Sequence, residues 1–266
     1  MNILLHTIAL EPARWTPQRV SCPLVEMLPH IAEKTEFREL EIFEPHLSSE
    51  TISPDIREAF GQYKLTPVIL SSYLNLNPTV TSDAELDAKI KQLAERVDYY
   101  GFKKLRLFPG PTMNPADSAE VAVFTERLKK LVSRVPGLEV LLETHDGSLA
   151  DDPKVITRIV EELAHPDVAL LFQATFFQSE ESILEQFHVE KPYIRHVHLQ
   201  NRAPDLTFVG LTDGMIPWPR ILNELGENVA ATVEFVPAGI CAVEEFDMDA
   251  TLKQARAVAE YVRSLK

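Results

Sequence analysis

Cysteine is nearly absent from this chain, and its two thiols, Cys22 and Cys241, lie outside any CxxC spacing. At most one bridge can form, so a disulfide framework is excluded. The usage fits a reducing compartment, and both thiols are expected to be buried. Long apolar runs are also missing: none approaches the ~20 residues that a helical membrane span requires. The opening segment MNILLH has neither a basic n-region nor a long apolar stretch, so it is read as a first strand in a cytoplasmic protein. Positive charge is scarce, 26 Lys and Arg against 40 Asp and Glu, and the net charge of −14 repels polyphosphate. Neither nucleic acid nor an anionic membrane is expected as a partner. No glycine- or serine-rich linker divides the 266 residues, and the 19 prolines are scattered through candidate loops. One domain over 1–266 is the expectation, with homo-oligomerisation left open.

What is present is an alternation of short apolar runs with longer amphipathic ones. Strands are expected near 2–9, 37–43, 66–72, 103–108, 138–144, 167–173, 193–200 and 229–235. Helices fit between them near 17–34, 54–63, 82–100, 116–135, 152–164, 180–188, 217–225 and 247–265. Eight strand-then-helix pairs in a chain close to the ~250 residues typical of the fold predict a single (β/α)8 TIM barrel of the α/β class. In the third helix Ser82 is a cap, and Leu86, Ile90, Leu93, Ala94 and Val97 recur at helical spacing to make the core-facing stripe. Gly101 is placed to stop it. A doubly wound open sheet competes, but no glycine-rich phosphate turn follows the first strand, which disfavours a dinucleotide fold.

The second half repeats a pattern of apolar strands ending in metal-ligating residues: 138–145 (LEVLLETH), 193–200 (YIRHVHLQ) and 230–235 (AATVEF). In a parallel barrel the strand C-terminal ends converge on the face that carries the active site. Period-two alternation puts Glu143 with His145, His196 with His198 and Gln200, and Thr232 with Glu234 on shared faces. Glu143, His198 and Glu234 then lie at similar height, and two carboxylates with an imidazole suit a divalent cation. Ligation needs a neutral histidine, so metal affinity is expected to fall below pH ~6. His196 sits one layer deeper and is read as a satisfied core histidine. His145 and Asp146 follow a strand end, where a surface, supporting or substrate-contacting role is open. Gln173 closes the sixth strand as a neutral ligand, a substrate hydrogen-bonder or a plug.

The motifs LLE-T-H-D-G around Glu143 and His145, HVHLQN from His196 to Asn201, and VEF around Glu234 together resemble the xylose-isomerase-like TIM barrels. Those include sugar phosphate isomerases and epimerases, tagatose/psicose 3-epimerases and hydroxypyruvate isomerases. The likeness extends to LEIF around Glu41, LRLFPG around Arg106 and DGMIPW from Asp213 to Trp218, in the family's order along nearly the whole chain. It implies one divalent metal ion (Mn, Mg, Co or Zn) held by a strand-five glutamate, a strand-six aspartate, a strand-seven histidine and a strand-eight glutamate. These fall on Glu143, Gln173, His198 and Glu234. Three positions depart from the pattern: Gln173 stands for aspartate, Phe176 for a histidine, and Asn201 for the aspartate of a His-x-x-Asp motif. Replacing Asp by Gln removes a charge and weakens a hard-cation site. The resemblance also reaches apurinic-site nucleases with three zincs, but several of their positions are missing here.

The resemblance implies a small-molecule carbohydrate substrate and an isomerase or epimerase. In such enzymes a metal polarises a carbonyl while Glu143 and Glu234 serve as the catalytic acid/base pair. Arg106, His145, Asn201 and Arg202 are the candidates for holding substrate hydroxyls or a phosphate. A dehydratase or aldolase-type lyase uses the same chemistry. The three departures motivate a rival of another class, a non-catalytic sugar-binding barrel with a degenerate metal site.

Overall fold

The computed structural model of the protein describes residues 1–15, 20–47 and 52–265. Eight parallel strands close a barrel: β1 (Ile3–His6), β2 (Glu39–Phe43), β3 (Thr66–Ser71), β4 (Lys104–Leu107), β5 (Glu139–Glu143), β6 (Val168–Phe172), β7 (Ile194–Leu199) and, after a small hairpin, β10 (Ala230–Val233). The hairpin pairs β8 (Asn201–Arg202) with β9 (Phe208–Val209) in antiparallel fashion. Helices α1 (Leu24–Lys34), α2 (Pro54–Tyr63), α3 (Asp83–Tyr100), α4 (Ser118–Arg134), α5 (Pro153–Leu163), α6 (Glu180–Glu190), α7 (Trp218–Leu225) and α8 (Met248–Ser264) follow the strands in turn. This is the (β/α)8 barrel that the alternation predicts.

Local chemistry sets most boundaries. Ser82 and Glu85 form a reciprocal capping box at the start of α3, and Gly101 ends that helix at φ 78°, a conformation glycine adopts without a Cβ clash. Asp117, Asp152 and Asp247 cap α4, α5 and α8 through their carboxylates, each cap being worth about 1 kcal/mol. The first helix is shorter than the expected 17–34. Residues 17–19 of that span lie outside the described residues, and α1 begins only after Pro23, which is its extended N-cap. The β8–β9 hairpin and the short 3₁₀ turns were not foreseen. Their few residues carry no periodicity that a sequence pattern can register. Cys22 and Cys241, expected to be buried, are free and half-buried.

Strand alternation builds two apolar layers. Leu5, Leu40, Ile42, Leu70, Leu105, Leu107, Val140, Leu142, Leu170, Phe172, Val197, Leu199, Ala231 and Val233 pack in the main core with the helices. Leu4, Ile69, Leu141, Ala169 and Leu171 form a separate plug within the barrel. Above that plug the same strands end in polar side chains, so the plug is the floor of the site. Two register shifts interrupt the ladders, one between Leu40 and Glu41 where β2 pairs with β3 and one between Leu170 and Leu171 where β6 pairs with β7. Such irregularities re-aim side chains, and the first adjoins Glu41, which matters below. No helix among the described residues is long and apolar enough to cross a membrane.

Candidate metal centre and active site

The plug displaces water from the barrel floor, so polar groups standing on it must find partners in one another. Glu143, His198 and Glu234 do so as a compact, buried trio. His198 Nδ1 lies 3.3 Å from Glu234 Oε1 and 3.8 Å from Glu143 Oε2. The expectation that these three groups meet at the strand ends is what the coordinates show. Glu143 is also ion-paired with Arg106, Nε to Oε2 at 2.6 Å, both side chains being 1% exposed. Arg106, expected to hold substrate, is thus engaged with a site carboxylate, and its guanidinium stacks 4.2 Å over Phe108.

Behind His198 stands a relay that the sequence reading named only in part. His198 Nε2 is 3.1 Å from both oxygens of Glu41. Glu41 accepts a hydrogen bond from Ser71 Oγ, and Ser71 Oγ lies 3.0 Å from His6 Nε2. His6 Nδ1 accepts from the Ile8 amide at 3.1 Å, so the proton of His6 sits on Nε2 and points along the relay. Glu41 therefore holds the Nε2–H of His198 and leaves Nδ1 directed at Glu143 and Glu234, the position a cation would compete for with a proton. A metal-binding histidine characteristically donates its other nitrogen to a carboxylate in this way. Glu41 appeared only within a family motif, and His6 and Ser71 were missed. The available signal was one polar residue at or near the C-terminal end of each of the first three strands, His6, Glu41 and Ser71, in otherwise apolar runs.

Burial and charge move the protonation states in opposite directions. Burial pushes the His198 pKa down, but Glu234, Glu41 and Glu143 outweigh it and hold the imidazole well above its ordinary value. Proton competition for Nδ1 therefore begins at higher pH than the ~6 expected for an ordinary histidine. Burial raises both site glutamates. For Glu143 it is overcome by Arg106 and His198, which keep that carboxyl low. Glu234 pairs with no arginine among the described residues, and burial leaves it above the usual carboxylate range. His196 is buried, hydrogen-bonded to Thr232 Oγ1 at 2.7 Å and pushed down to about 3 by burial, the neutral core histidine expected.

Gln173 directly follows β6 and is buried. Its backbone amide and carbonyl are tied to Thr144 Oγ1 at 2.8 and 2.6 Å, and its side-chain Oε1 has no partner. It lines a cleft of about 310 Å³ with His145, Asp146, Thr175 and Arg202. His145 is exposed, its Nδ1 2.8 Å from the Asp146 carbonyl oxygen. Asn201 has a different place: its amide donates to Leu211 O and Ile216 O and accepts from Ile216 N and Arg202 N. All four of its hydrogen-bonding positions serve the hairpin loop, leaving none for substrate.

Glu234 Oε2, His198 Nδ1 and Gln173 Oε1 are buried without a hydrogen-bond partner among the described residues, while Glu143 Oε2 is held by the Arg106 ion pair. Buried polar atoms without partners are rare in native proteins. Here two of them, Glu234 Oε2 and His198 Nδ1, belong to the converging carboxylate–imidazole trio, so the residues fit a divalent cation.

The chain matches the xylose isomerase-like TIM barrel family over residues 29–265 and belongs to it. Solved structures share the fold at low identity. A probable 3-DHS dehydratase, AsbF, of Bacillus anthracis is 19% identical with a TM-score of 0.71, the match covering 95% of this chain and 98% of that one. The IolI protein with a bound zinc atom is 19% identical with a TM-score of 0.73, covering 99% and 98%. A xylose isomerase-like barrel protein of Mycobacterium smegmatis in complex with magnesium is 13% identical with a TM-score of 0.72, covering 99% and 97%. No curated protein matches the sequence.

Proposed function

We propose that the protein is a divalent-metal-dependent isomerase that moves a proton beside the carbonyl of a small sugar, sugar phosphate or keto-polyol. The observation that carries this reading is the trio of Glu143, His198 and Glu234, whose ligand atoms converge in a buried cluster at the barrel mouth, with Glu234 Oε2 and His198 Nδ1 making no hydrogen bond among the described residues. These three residues would hold the cation, Gln173 or water completing the set. When bound, such a cation supplies Lewis-acid polarisation of a carbonyl oxygen. Glu234 takes the proton from the adjacent carbon and returns it, its carboxyl poised upward by burial as a general acid/base requires. Glu143, paired with Arg106, keeps its charge and serves as ligand. Two groups whose surroundings drive their pKa values apart take different roles. His145 and Arg202, on the cleft wall, hold substrate oxygens.

The Arg106–Glu143 pair also favours a second reading. Epimerisation between opposite faces needs two proton carriers, and here one is pinned. A single carrier suits transfer on one face, or removal of a C–H proton with loss of a neighbouring hydroxyl as water, which is a dehydratase reaction.

The test is hydrogen exchange. Metal-loaded protein in D₂O, given a panel of ketoses, keto-polyols and their phosphates, should place deuterium beside the carbonyl. Glu234→Gln, assayed at Mn²⁺ concentrations raised until its occupancy matches wild type, should abolish it. Loss of water from a substrate would select the lyase. No exchange with any substrate, despite bound metal, would leave the sugar-binding barrel as the surviving reading.

A further inference from the structure

Arginines in this acidic chain are generally engaged. Arg96 pairs with Glu44, Arg106 with Glu143 and Arg127 with Asp83, while Arg14 donates to the carbonyls of Ile8, Ala9 and Gly239. Arg202 differs. No carboxylate among the described residues lies within ion-pair distance of it, its Nε is buried without a partner, and its Nη1 reaches only the Leu206 carbonyl at 3.5 Å. Yet its position is fixed. Its amide donates to Asn201 Oδ1 at 2.9 Å, its carbonyl accepts from Met215 N at 2.9 Å, and its guanidinium carbon sits 4.2 Å over Phe208 and 5.8 Å over Phe177. A guanidinium flanked by rings is held without consuming its hydrogen bonds.

Arg202 is also the one lysine or arginine among the residues that line the 310 Å³ cleft. Gln173 lines the same cleft, and Glu234 lies close enough to act on the charge of Arg202. The cleft thus runs from the barrel mouth to a fixed cation that no carboxylate among the described residues ion-pairs with. We infer that this cleft binds an anionic group, a carboxylate or a phosphate monoester, through a forked contact with Arg202. The substrate of the reaction proposed above would then be an acid or phosphate ester rather than a neutral sugar. As an assignment of substrate this rests on that reading; as an anion site it stands on Arg202 and the cleft alone. Asp146 on the same wall opposes the anion, so it tunes affinity and favours ligands whose charge is confined to the end near Arg202.

Binding is measured by calorimetry on metal-stripped and Mn²⁺-loaded protein at constant ionic strength. The probes are inorganic phosphate, glycolate and neutral hydroxyacetone, up to tens of millimolar. Phosphate or glycolate should bind and hydroxyacetone should bind more weakly, and whichever anion is preferred identifies the source of the charge. Arg202→Met should weaken anion binding by roughly tenfold to a hundredfold, Arg202→Lys by less, because the ammonium keeps charge but loses the fork. Asp146→Asn should tighten it. Equal anion binding in wild type and Arg202→Met, or no anion binding at all, overturns the inference. Anion binding without metal uptake or deuterium exchange would instead retain the site and refute the enzymatic reading.

Discussion

Replacing Glu41 by glutamine removes one charge, with little change of shape, from behind the His198 imidazole. In the structure both Glu41 oxygens lie 3.1 Å from His198 Nε2, and all of these side chains are sealed from solvent. Two consequences follow, with opposite signs. Losing the carboxylate behind a ligating imidazole makes Nδ1 a poorer donor, and such losses cost 10- to 100-fold in metal affinity, about 1.4–2.8 kcal/mol. The same loss removes one of three anions that hold the His198 proton, so the histidine pKa falls and proton competition weakens. Metal and proton compete for one lone pair, and apparent affinity drops about tenfold per pH unit below the histidine pKa. Glu41→Gln should therefore bind Mn²⁺ at least ~10-fold more weakly at pH 8.5, with the deficit narrowing as pH is lowered and the midpoint of the acid loss displaced downward. Calorimetric dissociation constants from pH 5.5 to 8.5 in non-coordinating buffers measure both. A deficit that stays constant across this range would show that Glu41 does not act on the His198 proton, and an unchanged affinity would remove it from the site altogether.

Three further outcomes are expected. Gln173→Asp should tighten Mn²⁺ binding by on the order of tenfold, since each carboxylate added to a hard-cation site strengthens it; calorimetry that finds no gain shows that Gln173 is not a ligand. Arg106→Leu leaves Glu143 buried without its cation and should cost the metal-free protein about 3–5 kcal/mol in denaturant unfolding, with much of the loss recovered on adding Mn²⁺. Glu11 is buried against His46, accepts from the amides of Ala13, Ser21 and Cys22, and is lowered from 4.5 to about 2; burial opposes that shift and the hydrogen bonds overcome it. A depressed folded pKa gives stability that is fully present above about 4.5 and is lost as pH falls toward about 2. Thermal melts of Glu11→Gln should therefore be lower than wild type at neutral pH by several degrees, and the two curves should converge near pH 2.

The barrel was legible because its signals are local and repeated. Ser82 with Glu85 and Gly101 state where α3 begins and ends, and Leu86, Ile90 and Leu93 state which face it buries, all within one turn or stripe of sequence. Alternation along 138–145, 193–200 and 230–235 likewise placed Glu143, His198 and Glu234 on one side of their strands, so their convergence needed only the closure rule of a parallel barrel. Pro23 hid in a helical-looking run, and its extended backbone sets the N-cap at which α1 starts.

What no window of sequence contains is the partner of each polar end. Arg106 was a free substrate-binding candidate until closure set it against Glu143 on the next strand. Asn201 was another until the hairpin folded over its amide. The Glu41–His198 contact joins residues 157 apart in the chain. Pairing energies of buried charges depend on distances of a few ångström across the barrel, and these are set by strand register, shear and a one-residue shift beside Glu41. The sequence by itself determined the fold and that Glu143, His198 and Glu234 stand at its mouth, because periodicity and capping act over neighbours. Only the tertiary structure decided which of them are bound to one another, and hence that Nδ1 of His198 faces Glu143 and Glu234 while no carboxylate among the described residues pairs with the guanidinium of Arg202.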